Sequence, residues 1–116
     1  MRLTLLKGKV HRATVTEANK DYDGSLTMDS TLMEAAGILP NELIHVWDVS
    51  RGTRLVTYAM PGEPNSGIVC VNGAGAHLVH VGDLVIVAAY AEMEEAEARK
   101  HHPTVVRVDE KNRIRR

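Results

Sequence analysis

The sequence predicts a small, mainly β barrel, and three observations predict it. Phe is absent and aromatic residues make up only 3% of the chain. The core must therefore be built from Val, Ile, Leu, Ala and Met, which suit the narrow interior of a small barrel. Short apolar stretches alternate with turn-forming Gly, Asn and Pro, the pattern of many short strands. The chain also echoes itself. Residues 40–46 (PNELIHV) and 81–87 (VGDLVIV) each run from a turn through an acid into a strand, and each follows a helix-like stretch. Two related halves closing into one barrel would give this pattern. The 116 residues fit a single domain, residues 1–116, able to bury a core without disulfide or metal staples.

The elements follow in order. Leu3, Leu5, Val10, Ala13 and Val15 fall in β-rich sequence and predict two short strands, or one bent strand, up to Thr16. Residues 19–24 (NKDYDG) form a turn by their Asn, Asp and Gly content. A strand resumes over residues 25–28. Asp29, Ser30 or Thr31 can then cap a short helix, with Thr31 and Glu34 spaced as a capping box and Gly37 as the stop. A strand over residues 43–49, a turn at Ser50-Arg51-Gly52 and a return strand over residues 53–60 make a hairpin. After a loop over residues 61–67, a buried strand covers residues 68–71. A Gly/Ala-rich turn and short helix follow from Asn72. Residues 84–90 are apolar on both faces and read as a fully buried strand. Residues 91–101, acid-first and base-last, read as a helix ended by Pro103. The remainder, residues 103–116, is a short charged tail.

Charge and composition exclude several classes. Fourteen basic and fifteen acidic residues leave a formal net charge of -1, which gives no electrostatic case for nucleic acid or an anionic membrane. Cys70 is the single cysteine, so no intramolecular disulfide is possible. The N-terminal MRLTLLKGK is too polar for a signal peptide. The apolar run over residues 84–91 is too short to span a bilayer. A cytoplasmic protein is expected. His77 with His80, and His101 with His102, lack the carboxylate or thiolate partners of a metal site, so no metal is assigned.

The chemistry centres on Tyr22-Asp23-Gly24-Ser25. A Ser hydroxyl can attack the carbonyl before it and convert the peptide bond to an ester. Gly24 offers that carbonyl with little shielding and can take up a strained backbone. β-Elimination and loss of ammonia would then leave a pyruvoyl group at residue 25. A Gly-Ser pair alone is an ordinary turn. Its context is Lys9-Val10-His11-Arg12, Ala35-Ala36-Gly37-Ile38, Trp47-Asp48-Val49, Arg54 with Thr57-Tyr58-Ala59, Val71-Asn72-Gly73-Ala74 with Ala76-His77, and Gly82-Asp83.

With these segments in this order, over about residues 1–100, the chain resembles the aspartate 1-decarboxylase family. The resemblance implies a six-stranded double-psi β-barrel with short helices. It implies a homotetramer with sites at subunit interfaces, and conversion of L-aspartate to β-alanine and carbon dioxide for pantothenate and coenzyme A synthesis. The implied cofactor is the pyruvoyl group made from Ser25 by cleavage after Gly24, without metal or pyridoxal phosphate. Tyr58 is the implied proton donor. Arg54 offers a bidentate fork for one substrate carboxylate, and Lys9 and His11 offer donors for the other. Thr57, Gly73, Ala74 and Trp47 complete the implied substrate pocket, with Asn72, Tyr22 and Thr57 supporting processing. A maturation factor is a further possible partner. Three alternatives remain open at this level: a swapped-hairpin DNA-binding barrel, an uncleaved inactive relative, and the same chemistry on another amino acid such as glutamate.

Overall fold

The computed structural model describes residues 1–115. Eight strands dominate: β1 (Arg2–Thr14), β2 (Glu17–Asn19), β3 (Ser25–Asp29), β4 (Leu43–Asp48), β5 (Arg54–Gly62), β6 (Val69–Asn72), β7 (Leu84–Glu94) and β8 (Thr104–Arg107). Two short α-helices, α1 (Ser30–Ala36) and α2 (Glu95–Ala98), and a 3-10 helix over Gly73–His77 complete the fold. The strands form one sheet in the order β2-β6-β3-β5-β4-β7-β1-β8. The sheet curls on itself beyond the end of β1. The Thr16 N–H bonds to the Val69 carbonyl on β6 at 2.8 Å, and the Val15 N–H bonds to Asp83 O at 2.9 Å.

The two echoing segments supply β4 and β7, and these strands pair antiparallel with Val46 opposite Val87. Around them the sheet mixes directions. β3 runs parallel to β5, and β1 runs parallel to β8. Val10, Val15, Leu26, Met28, Ile44, Val46, Val69, Val71, Val85 and Val87 meet in one interior cluster. This is the aliphatic core that a Phe-free sequence dictates.

Strand β1 bends at two register shifts, one between Leu6 and Gly8 and one between Val10 and Ala13. The second shift carries Arg12 at φ 65, a bulge that turns the strand around the barrel. Of the three possible caps for α1, Asp29 does the capping. Its Oδ1 accepts the Thr31 N–H at 2.9 Å, and Gly37 ends the helix at φ 74.

The structure corrects two expectations. Residues 91–101 are not one helix: β7 runs on to Glu94, and only Glu95–Ala98 is helical. Alternation explains this. Met93 is buried while Glu92 and Glu94 are exposed, and β1 is long enough to pair with the strand as far as Arg2↔Glu94. Cross-strand pairing thus overrides the helical preference of an acid-rich segment. Residues 104–107, expected in a charged tail, form β8 on β1 and bury Val106. Strand β2, over residues for which no strand was predicted, pairs with β6.

Candidate active site

Ser25 opens β3, where alternation puts it with Thr27 on the face opposite the core residues Leu26 and Met28, yet it is only 5% exposed. Directly opposite on β6 stands Asn72, itself buried. The Asn72 Nδ2 donates to Ser25 Oγ at 3.3 Å and to Thr27 Oγ1 at 3.2 Å. The turn after Asn72 places Gly73 against Gly24. A Cβ at Gly73 would lie 2.5 Å from Gly24 Cα and 2.8 Å from Gly24 N. Gly73 holds φ +72, a left-handed backbone that favours glycine. The unusual backbone is therefore at Gly73, where glycine adopts it without strain. Gly24 has no left-handed φ, and a Cβ there would meet nothing within 4 Å.

Beside this junction lies a cavity of about 350 Å³, lined by Gly24, Ser25, Thr57, Asn72, Ala74 and Leu78 among others. Of the residues singled out in the sequence, the structure brings together Gly24, Ser25, Thr57, Asn72, Gly73 and Ala74. The cavity's outer loop is held by a polar latch. Thr53 Oγ1 donates to Leu78 O at 2.6 Å. Arg51 Nε donates to Asp83 Oδ2 at 2.7 Å, and Asp83 Oδ2 also accepts the His80 N–H. Burial, then the side chain of Asp83, raises the neighbouring Asp48 carboxyl above its ordinary range. The hydrogen bond to Asp48 comes first in holding Asp83 below it.

The remaining candidates lie elsewhere on the subunit. Tyr58 follows Thr57 on β5 and points to the alternate face, exposed opposite Leu43. Arg54 is on that outer face too, with its guanidinium 5.4 Å from the ring centre of Trp47, its cross-strand partner. Lys9 pairs with Ala88 on the far side of β7. His11 lines a separate cavity of about 310 Å³ with Arg12, Arg107 and Arg115. Burial, then the charges of Lys9, Arg107 and Arg12, lowers the His11 pKa. Tyr22 is exposed and borders a third cavity, on the β2 side of Asn72. Two contacts were missed by sequence reasoning, Thr27 and Cys70. Cys70 Sγ sits 3.2 Å from Asn72 Oδ1. Their signal was available: each lies two residues along a strand from Ser25 or Asn72 and so shares its face.

The sequence model of the family described as Aspartate decarboxylase matches residues 1–115. The chain belongs to that family. It is 56% identical to the aspartate 1-decarboxylase of Clostridium beijerinckii over 115 residues, 99% of this chain and 93% of that protein. It is likewise 56% identical to the aspartate 1-decarboxylase of Myxococcus xanthus, over 98% of this chain and 88% of that one. The family match extends beyond residue 100 and takes in β8. The fold is similar to that of a rationally designed protein, mkDPBB_sym_86, with a TM-score of 0.50 at 19% identity over 66% of this chain and 90% of that one. The architecture is thus the mainly β, double-psi barrel. The short strands β2 and β8 at the ends of the sheet order add to the six expected. Among the described residues no cluster of His, Cys, Asp or Glu is arranged to hold a metal ion, and no helix is long and apolar enough to cross a membrane.

Proposed function

We propose that residues 1–116 act as one domain, a self-cleaving decarboxylase that converts L-aspartate to β-alanine and carbon dioxide in support of pantothenate synthesis. The observation that carries this reading is the buried Ser25 hydroxyl, held by the Asn72 amide beside an unshielded Gly24 at the wall of a cavity. It stands in a member of the aspartate decarboxylase family.

Cleavage begins when Ser25 Oγ attacks the Gly24 carbonyl carbon. The new C–O bond replaces the C–N bond, and the hydroxyl proton passes to the Ser25 nitrogen. The Cα proton of residue 25 is then lost as the Cβ–Oγ bond breaks, and Gly24 leaves as a carboxylate. Water displaces ammonia from residue 25 and leaves a ketone there. In the elimination Oγ leaves with the bonding electron pair, and the Asn72 Nδ2–H is already placed to stabilise the charge that builds there. Gly73 allows the β6 turn to close on Gly24 without a side chain between them. Residues 24, 25, 72 and 73 thus fit formation of a pyruvoyl group.

The pyruvoyl group supplies a carbonyl that captures the substrate amine and draws off the electron pair left by carbon dioxide. The chain's own residues bind, orient and protonate. Thr57 and Ala74 line the space beside residue 25. Tyr58 delivers the proton to the substrate α-carbon. Arg54, stacked on Trp47, presents a planar fork to one carboxylate, and Lys9 and His11 serve the other. These outer-face side chains reach a cavity through assembly into a homotetramer with sites between subunits. An apolar outer face supports that assembly, with Leu43 59% and Val56 58% exposed.

Intact mass under denaturing conditions tests the reading. Two chains are expected, one ending at Gly24 and one starting at residue 25 and lighter by one ammonia than a Ser-started chain. Ser25→Ala should stay folded, uncleaved and inactive. β-Alanine formation by purified Ser25→Ala would overturn the mechanism.

A further inference from the structure

We infer that Cys70 and Thr27 are positioning residues for self-cleavage: together they fix which end of the Asn72 amide faces Ser25. The inference rests on the self-cleaving reading of Ser25 and deepens it. Register builds the group. On the antiparallel pair β3–β6, Ser25 stands opposite Asn72 and Thr27 opposite Cys70. Alternation puts all four side chains on one face, opposite the core-facing Leu26, Met28, Val69 and Val71.

Within that block the amide is specified at both ends. Its nitrogen carries two protons, and two hydroxyl oxygens accept them: Ser25 Oγ at 3.3 Å and Thr27 Oγ1 at 3.2 Å. Its oxygen needs a donor, and Cys70 Sγ lies 3.2 Å away. Burial, then the Glu17 carboxylate across the β2–β6 pairing, pushes the Cys70 thiol above its ordinary range, so the sulfur keeps its proton; Glu17 Oε2 lies 3.8 Å away, and Asn72 Oδ1 at 3.2 Å is the nearer acceptor. A thiol is a weak donor, but here it is buried, and the alternative orientation would leave Asn72 without an N–H for Ser25.

The orientation decides the chemistry. With nitrogen toward Ser25, the amide donates to Oγ, and the hydroxyl proton stays free to move to the departing nitrogen. Turned around, the amide oxygen would accept that proton and hold it, with no donor left for Oγ as the Cβ–Oγ bond breaks. Cys70 therefore acts through Asn72 on the cleavage step and touches neither substrate nor product.

The test uses the full-length chain. First-order cleavage rates of wild type, Cys70→Ala, Cys70→Ser and Thr27→Val are read by intact mass, with thermal melts as a check on folding. Cys70→Ala should cleave roughly five- to tenfold more slowly, the loss of one hydrogen bond. Cys70→Ser, which restores a donor, should recover most of the wild-type rate. A merely structural role would not separate Ser from Ala in this way. Thr27→Val should also slow cleavage, since one amide proton loses its acceptor. A well-folded Cys70→Ala cleaving within about twofold of wild type would overturn the inference, as would Cys70→Ser no faster than Ala. Wild type that never cleaves would instead overturn the proposed function itself, and the inference with it.

Discussion

At the scale of single residues, the site depends on a close backbone approach more than on any reactive side chain. Gly73 is the sharpest case. An added methyl would collide with the Gly24 backbone, which has no flexible side chain to move aside, and the residue also sits at φ +72. Gly73→Ala is therefore expected to lower stability by about 1–3 kcal/mol and to displace Gly24, stopping cleavage. A thermal melt and an intact-mass time course measure the two effects, and normal cleavage by Gly73→Ala would sink the account. Arg54→Ala makes the opposite pattern. It should process normally and lose aspartate binding, seen as a raised KM. The sequence pointed to Ser25, Asn72 and Gly73 through their place among the ordered segments that resemble the family, since a Gly-Ser pair or an Asn-Gly turn alone is ordinary. Alternation places Cys70 and Thr27 on the faces of Asn72 and Ser25, but alternation alone does not make them site residues. Their contact with Asn72 depends on which strands pair and in what register, which local sequence does not state.

At the scale of elements, the strands were legible where turns punctuate them, and the end of the chain was not. Charged residues after Pro103 hide two buried apolar ones, Val106 and Val108, and a buried clasp at Asn112. The Asn112 side chain accepts the Thr14 N–H at 2.8 Å and donates to Thr14 O at 2.9 Å and Gly67 O at 2.7 Å. It thereby joins the end of β1 to the loop before β6. Asn112→Ala should cost about 2–4 kcal/mol, since it strands buried backbone groups, and chemical denaturation should show it. Asp29 makes a similar junction with a pH dependence. Burial alone would raise its pKa. The N–H groups of Gly67, Thr31 and Asn65 outweigh that and hold it below the usual range. Its stabilisation is thus complete above the unfolded carboxylate value of about 3.9 and is lost as pH falls through the lower folded value. Asp29→Asn should melt lower than wild type at neutral pH, with the gap closing in acid. A gap independent of pH would mean that Asp29 acts by shape alone.

At the scale of the whole molecule, one subunit does not bring the proposed site residues together. The cavity beside Ser25 holds Thr57, Asn72 and Ala74, yet Tyr58, Arg54 and Trp47 occupy the outer face of β4 and β5. That face also carries Leu43 and Val56, apolar at positions where a solvated strand carries polar residues. In the sequence these residues look like core, because periodicity separates two faces of a strand without saying which one meets the interior. Covering such a face with further copies of the chain removes apolar surface from water and brings outer side chains to the sites. Light scattering should therefore give four times the single-chain mass. Leu43→Glu buries a charge in that contact and should shift the protein toward smaller species. It should reduce aspartate turnover while leaving Ser25, Asn72 and Gly73 in place. Full turnover by a monomeric Leu43→Glu protein would show that each subunit holds a complete site, and the assignment of Tyr58, Arg54 and Lys9 to a shared site would then fail.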